Sequence, residues 1–347
     1  MDNYYVFIPN EVEEVINKLK EVNWLITNFD ADITELYNPA NYLHNVHTHS
    51  TSYILVPDRN IFSYILSSTT KNPSNDNYRN AIGLIIFAMF CEIQIEPGIA
   101  IYELLNCSFD NIEIALNELE LFRTIDNYDN DKIYQYFKGN IDILPIERIP
   151  LKEREKIRNG LTKYQWLTEW KSLYLIILKI IDLSLDDKPN DSKVKELLHW
   201  MSHSFRFSLV GTFFAITLFS SKRISKMIKY KINVKRERNQ VNINNMTWDL
   251  YYMNMFFRYW QNNDSSNKEY IFASNDNVIK HILKIAVLFN KTGDYNILKD
   301  YLLDHEVDNY KRISKDIKNN TNRVYMSDKW TSEYRDKLIL ELETKLL

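Results

Sequence analysis

The chain has 347 residues, of which 45% are hydrophobic, so it can bury one large core or two smaller ones and is not a disordered protein. Its 43 Lys and Arg residues against 46 Asp and Glu give a formal charge of −3, which leaves contact with nucleic acid to a local patch. Two cysteines exclude a disulfide framework or a cysteine-rich zinc site.

The apolar segments 81–91 and 207–219 are shorter than the roughly 20 residues that cross a bilayer, so we expect buried helices and no membrane partner. The first residues have neither a basic region nor a continuous apolar run, as a secretory signal would. We therefore expect a cytoplasmic protein. Six Gly and eight Pro are few for the many turns of a β-sandwich, which favours a helix-rich α/β fold.

Short strands alternate with helices in the first third of the chain. Apolar residues at three- and four-residue spacing indicate helices, and short β-favouring runs indicate strands. Strands are predicted at 4–8, 53–56 and 91–95, and helices at 10–27, from 61, at 78–90 and from Pro97 to Leu105.

The pattern from about 108 to 222 is helical almost throughout, with a polar break at 185–193. The segment 222–238 then carries eight basic residues against one acid, a local charge of +7. A helix is predicted at 247–260 with Asp249 in its first turn, followed by a strand at 270–273, a helix from 277, and a weak strand candidate at 295–298.

Two strand-to-helix junctions each present an aspartate, Asp58 and Asp276. Ligands of open α/β sheets bind beyond the carboxyl ends of the strands, so these two acids are expected to converge although they are far apart in sequence.

Four segments resemble, in order and setting, the acidic motifs of PIN-like nucleases: ILVPDRN at 54–60, EPGIAIYEL at 96–104, TWDL at 247–250 and IFASNDN at 271–277. The four acids of that family match Asp58, Glu103, Asp249 and Asp276, and the polar residues beside them match Asn60, Ser274 and Asn275. Arg59 stands where the family usually has Thr. The resemblance covers 50–106 and 245–290.

The resemblance implies a PIN-like α/β/α core with a central parallel sheet, interrupted by a large helical insertion. The implied division is 1–107 for the first part of the core with an N-terminal strand and helix, 108–222 for the insertion, 223–300 for the second part, and 301–347 for a C-terminal helical extension.

The resemblance also implies the chemistry. The four carboxylates would hold Mg²⁺ or Mn²⁺, hard cations that prefer oxygen ligands, while Asn60, Ser274 and Asn275 orient the acids. Two such ions catalyse phosphodiester hydrolysis by activating water and stabilising the leaving oxygen. The expected activity is an endoribonuclease, with RNA favoured over DNA, acting as a toxin or antiphage defence effector.

A basic track would guide the substrate, because Lys and Arg supply sequence-independent affinity for the phosphate backbone. The residues of this track are Lys222, Arg223, Lys226, Lys229, Lys235, Arg236 and Arg238. A solvated helix end explains the same residues without function. The insertion suits substrate recognition, control of access or a regulatory protein partner, and the sequence does not choose among them.

Two other functions remain open. In a non-catalytic interaction protein, Asp58 and Asp276 would be helix caps and Asp249 would complement a helix dipole. A structure-specific DNA nuclease would use the same four acids. His44, His47 and His49 lie in a segment that looks like a loop without further zinc ligands, and His199 and His203 lack the intervening Glu of a zinc protease.

Overall fold

The computed structural model describes residues 6–27, 33–70, 76–106, 108, 110–163, 168–220, 227–261, 267–300, 302–318 and 324–347. Within them the fold is helix-rich with one small sheet, as expected. The strands are β1 (Leu25–Thr27), β2 (Ser52–Pro57), β3 (Gln94–Ile95) and β4 (Lys268–Ala273). No helix among these residues is both long and apolar enough to cross a bilayer.

The first nine helices precede residue 164. They are α1 (Asn10–Val22), α2 (Ile33–Leu36), α3 (Pro39–His49), α4 (Arg59–Ser67), α5 (Asp76–Phe90), α6 (Gly98–Leu105), α7 (Ile112–Asp126), α8 (Asn130–Lys138) and α9 (Arg154–Lys163). The later helices are α10 (Thr168–Ser184), α11 (Asn190–His203), α12 (Leu209–Phe219), α13 (Arg236–Gln261), α14 (Asn277–Thr292), α15 (Asp304–Lys318) and α16 (Ser332–Leu346).

The sheet has the strand order β1-β4-β2-β3. β4 and β3 both run parallel to β2, so the carboxyl ends of three strands share one edge. The expected parallel sheet is therefore present in these three strands. β1 pairs antiparallel with β4, which makes the sheet mixed and corrects the expectation of an all-parallel one.

The N-terminal helix is shorter than its apolar spacing predicted. α1 ends at Val22 because Asn23 adopts a left-handed conformation (φ 49°), and its amide donates to the Leu19 carbonyl. Asn tolerates this conformation better than other non-glycine residues.

Residues 25–27, predicted as helix, form β1 instead. Of the strand predicted at 4–8, residues 6–8 are not in a strand, and 4–5 lie outside the described residues.

The chain divides into two compact units. Unit 1 comprises residues 1–167 and 258–276, and one face of its sheet enters a core that contains Leu55, Ile95 and Ile271. α5 lies in the middle of its helices, packing against α1, α4 and α8. Gly83 allows the α8 contact, because a Cβ there would lie 2.9 Å from the Phe137 ring.

Unit 2 comprises residues 168–257 and 277–347 and contains only helices among its described residues. α10 packs against α16, α11 against α12 and α15, and α12 against α14. Most described residues of 108–222, the segment expected as one helical insertion, are helical, apart from 139–153 and shorter connections. The segment is divided between the two units at residue 167. The strand candidate at 295–298 is wrong, since these residues belong to a 3₁₀ helix, Tyr295–Asp300.

Candidate active site at the carboxyl edge of the sheet

The strands β2 and β4 end side by side, as the sequence predicted. Pro57 pairs with Ala273 in the parallel register, and the amide of Asp58 donates to the Ala273 carbonyl at 2.9 Å. The residues after both strands therefore begin at the same point of the sheet edge, where α/β proteins bind their ligands.

Asp58 is buried, with 4% of its surface exposed. Its Oδ1 accepts a hydrogen bond of 2.7 Å from the Ile61 amide, which caps α4 as the capping interpretation predicted. Its Oδ2 accepts a second bond, of 2.5 Å, from the Ser274 hydroxyl. Both bonds lower the cost of burying this carboxylate, and hydrogen bonds to an ionised acceptor are stronger than neutral ones.

Ser274 connects Asp58 to the turn that carries Asp276. It is fully buried, and its amide donates to the Trp24 carbonyl at 3.0 Å. While its hydroxyl donates to Asp58, the same oxygen accepts from the Asp276 amide at 3.0 Å. The side-chain Nδ2 of Asn275 donates to the Tyr64 hydroxyl at 3.3 Å. One hydroxyl thus orients the first predicted acid and the backbone of the last.

The third parallel strand also ends in an acid that sequence reasoning missed. Glu96 directly follows β3, its amide donates to the Leu55 carbonyl at 2.9 Å, and its Oε1 accepts from the Gly98 amide at 3.1 Å. Its carboxylate is exposed. The signal was available, because Glu96 stands after a predicted strand as Asp58 and Asp276 do.

The negative charge of Glu96 acts on two stacked tyrosines, Tyr259 and Tyr270. The rings of Tyr259 and Tyr270 are 4.5 Å apart and nearly parallel. Burial raises the pKa of both phenols, and the negative charge of Glu96 raises them further.

The predicted acid Glu103 and the predicted orienting residue Asn60 lie on helices next to this edge. Glu103 is half-buried on α6, which packs against β2 and α4. Asn60 is exposed in the first turn of α4. The preceding residue, Arg59, forms a bidentate pair with Glu118 of α7, at 2.5 and 2.9 Å. The Thr that PIN-like nucleases usually have at this position could not form such an ion pair, because its side chain is short and uncharged.

Asp249 belongs to unit 2 and does not begin a helix. α13 starts at Arg236 rather than at 247, which places Asp249 in its interior and corrects both the predicted helix start and the dipole interpretation. The helix extends upstream because Asn239, Ile243 and Met246 continue the buried three- and four-residue spacing. Oδ2 of Asp249 lies 2.6 Å from Nζ of Lys229.

The basic track is described in part. Lys222, Arg223 and Lys226 lie outside the described residues. Lys235, Arg236 and Arg238 are exposed around the start of α13. Positive charges near a helix N-terminus interact unfavourably with the helix dipole. These three basic residues are therefore not present to stabilise α13.

The histidine-rich segment forms α3, which corrects the expectation of a loop. Nε2 of His47 lies 3.3 Å from Oε1 of Glu92. On α11, Nδ1 of His203 is 2.8 Å from the His199 carbonyl.

Among the described residues, no three His, Cys, Asp or Glu side chains are grouped closely enough to hold a metal ion.

No family model, curated protein or solved structure matches this chain.

Proposed function

We propose that this protein is a metal-dependent endoribonuclease whose reaction centre lies at the carboxyl edge of β2 and β4. The observation that carries the proposal is the 2.5 Å hydrogen bond from Ser274 to the buried carboxylate of Asp58. It links the ends of two parallel strands, with Asp276 two residues beyond the serine. A helix cap requires only one carboxylate oxygen, and the second bond fixes the orientation of the whole group.

The donors at this edge fit a hard divalent cation. Asp58, Asp276 and Glu96 all follow parallel strands and offer oxygen, the ligand that Mg²⁺ and Mn²⁺ prefer. Mg²⁺ usually keeps several waters and uses one or two carboxylates together with substrate phosphates. A site completed by the substrate is therefore compatible with the lack of a three-acid group among the described residues. When bound, the metal would polarise the scissile phosphate and activate water.

The protein residues have separate roles in the proposal. Asp58 and Asp276 hold the cation, with Glu103 and Glu96 as further carboxylates from α6 and the end of β3. Ser274 orients the Asp58 carboxylate through the hydrogen bond of its hydroxyl.

The substrate is a nucleic acid, and RNA is favoured by analogy with PIN-like nucleases. Lys235, Arg236 and Arg238 supply phosphate contacts, which are independent of base sequence, and Lys229, paired with Asp249, stays a predicted member of the basic track. The role of Asp249 as a fourth metal ligand stays a prediction, because its carboxylate is paired with Lys229.

Cleavage assays with the full chain test the proposal. Single-stranded RNA and DNA of one sequence are incubated with Mg²⁺, Mn²⁺ or a chelator. We expect RNA cleavage that the chelator abolishes, a loss of about 10–100-fold in Ser274→Ala, and a larger loss in Asp276→Asn. Asp187→Asn, an exposed aspartate of unit 2, is the matched control. Titration with Mn²⁺ should show weaker metal binding in Asp276→Asn, and an unchanged circular dichroism spectrum of this variant would exclude misfolding as the cause.

Cleavage that survives both Asp58→Asn and Asp276→Asn would reject this site. Preferential cleavage of branched DNA would instead identify a structure-specific DNA nuclease that uses the same acids.

A non-catalytic interaction module is the second candidate. The observation that favours it is the 4% exposure of Asp58 together with its capping bond to Ile61, since a buried cap stabilises a helix without any catalytic role. Absence of cleavage and of Mn²⁺ binding in the folded chain would favour this candidate.

A further inference from the structure

A groove in unit 1 lies where the first turns of α1 and α8 meet the last turns of α5. It has a volume of about 670 Å³, and it is called the acidic groove below. It uses none of the residues assigned to the sheet edge.

The floor of the acidic groove is apolar and incompletely covered. Its apolar lining residues are Val12, Ile86, Met89, Phe90 and Ile133. Val12 and Ile133 are buried, whereas Ile86, Met89 and Phe90 are only half-buried. Partly exposed apolar side chains gathered in a concave surface are typical of a binding site, and Met adapts its shape to different ligands.

The rim of the groove is acidic. Glu11 comes from α1, Glu92 follows α5, and Asp131 comes from α8, and all three are exposed. Oε1 of Glu92 also lies 3.3 Å from Nε2 of His47, which is outside the groove lining. No Lys, Arg or His is among the described residues that line the groove. The nearby Lys138 is engaged elsewhere, since its ammonium group binds both carboxylate oxygens of Glu14.

The apolar floor and the acidic rim of the groove indicate which class of ligand it binds. The three acids are not grouped closely enough to hold one cation. A ligand whose positive charges are spread over its length fits them better than a metal ion or a small amine. Acidic groups repel phosphate, which disfavours nucleic acids and anionic lipid surfaces.

We propose that the acidic groove binds a basic amphipathic helix of a partner protein. The apolar face of that helix would cover Met89 and Phe90, as in other helix-in-groove complexes, and its Lys or Arg residues would face Glu11, Glu92 and Asp131. The complementary charges would set the orientation of the helix and accelerate its association.

Fluorescence anisotropy with the full chain tests this proposal. The probe is a labelled amphipathic peptide of Leu and Lys, roughly 18 residues or about five helical turns long. The control probe is the same peptide with Glu in place of every Lys. We expect the Lys peptide to bind, with an affinity that falls as salt is added, and the Glu peptide to bind at least about ten-fold more weakly.

Substitutions locate the binding surface. The combined variant Glu11→Gln, Glu92→Gln and Asp131→Asn should lose about ten-fold in affinity for the Lys peptide or more. The control variant Glu147→Gln, Glu237→Gln and Asp187→Asn removes the same charge from exposed positions elsewhere and should bind like the original chain. Met89→Ser should also weaken binding, whereas Leu340→Ser, at a position with 64% exposure, should not.

Circular dichroism verifies that each variant is folded. The proposal is overturned if neither peptide binds, if both bind equally, or if the groove variant and the control variant bind the Lys peptide with the same affinity.

Discussion

Nζ of Lys229 lies 2.6 Å from Oδ2 of Asp249, and the two residues were predicted to contact phosphate and metal respectively. Their side chains are 37% and 28% exposed, so solvent screens the pair only in part. A double-mutant cycle with Lys229→Met and Asp249→Asn should give a coupling energy of about 0.5–1 kcal/mol in urea unfolding. The coupling should decrease with added salt. A coupling of zero would mean that the ion pair contributes nothing in solution.

The bond between Ser274 and Asp58 should be worth more than an ordinary serine hydrogen bond. Ser274→Ala removes a donor from a buried carboxylate, and we expect the free energy of unfolding to fall by about 1.5–3 kcal/mol. Ser68→Ala is the matched control, because Ser68 is equally buried but donates to the neutral Ile65 carbonyl. That change should cost about 0.5–1.5 kcal/mol. Equal losses in urea unfolding would show that Asp58 gains nothing from its charge.

Asp126 should make stability depend on pH in an unusual direction. Burial raises the pKa of this carboxyl, and Arg123 offsets the effect only in part. Because the folded-state pKa lies above the unfolded value, the protonated form favours folding, and that stability is lost as pH rises through the folded pKa. Asp126→Asn, neutral at every pH, should therefore stabilise the protein more at pH of about 7 than at about 3.

Asp186→Asn is the control of opposite sign. Hydrogen bonding to Lys188 lowers the pKa of Asp186, so its contribution is present above the unfolded pKa and is lost as pH falls through the folded pKa. Asp186→Asn should cost stability near neutral pH and little in acid. Unfolding curves recorded across this range measure both changes, and parallel pH trends in the two variants would contradict the assignments.

Two glycines should respond to alanine with opposite signs. Gly139 ends α8 with φ 83°, and a Cβ there would lie 3.2 Å from the Arg79 guanidinium. Gly139→Ala should destabilise the protein by about 1–2 kcal/mol. Gly160 lies within α9, where a Cβ would meet no atom within 4 Å. Gly160→Ala should stabilise the protein by about 0.5–1 kcal/mol, and differential scanning calorimetry should record the two shifts in opposite directions.

Local sequence signals predicted the elements around the candidate site well. The β-favouring run before Pro57 forms β2, the run before Ser274 forms β4, and helices follow both strands as their apolar spacing indicated. Helix boundaries were less predictable. Asn23 stops α1 through one left-handed residue, and α13 continues upstream of 247 because its buried face does.

By itself, the sequence determined the helix-rich class, the two strand-to-helix junctions and the acids placed at them, because periodicity and capping act over a few residues. Tertiary structure alone decided that β1 pairs antiparallel with β4, that Ser274 bonds to Asp58, and that Asp249 pairs with Lys229 in unit 2. These outcomes depend on contacts between residues distant in sequence. Such contacts form only when whole elements pack, and no local pattern encodes them.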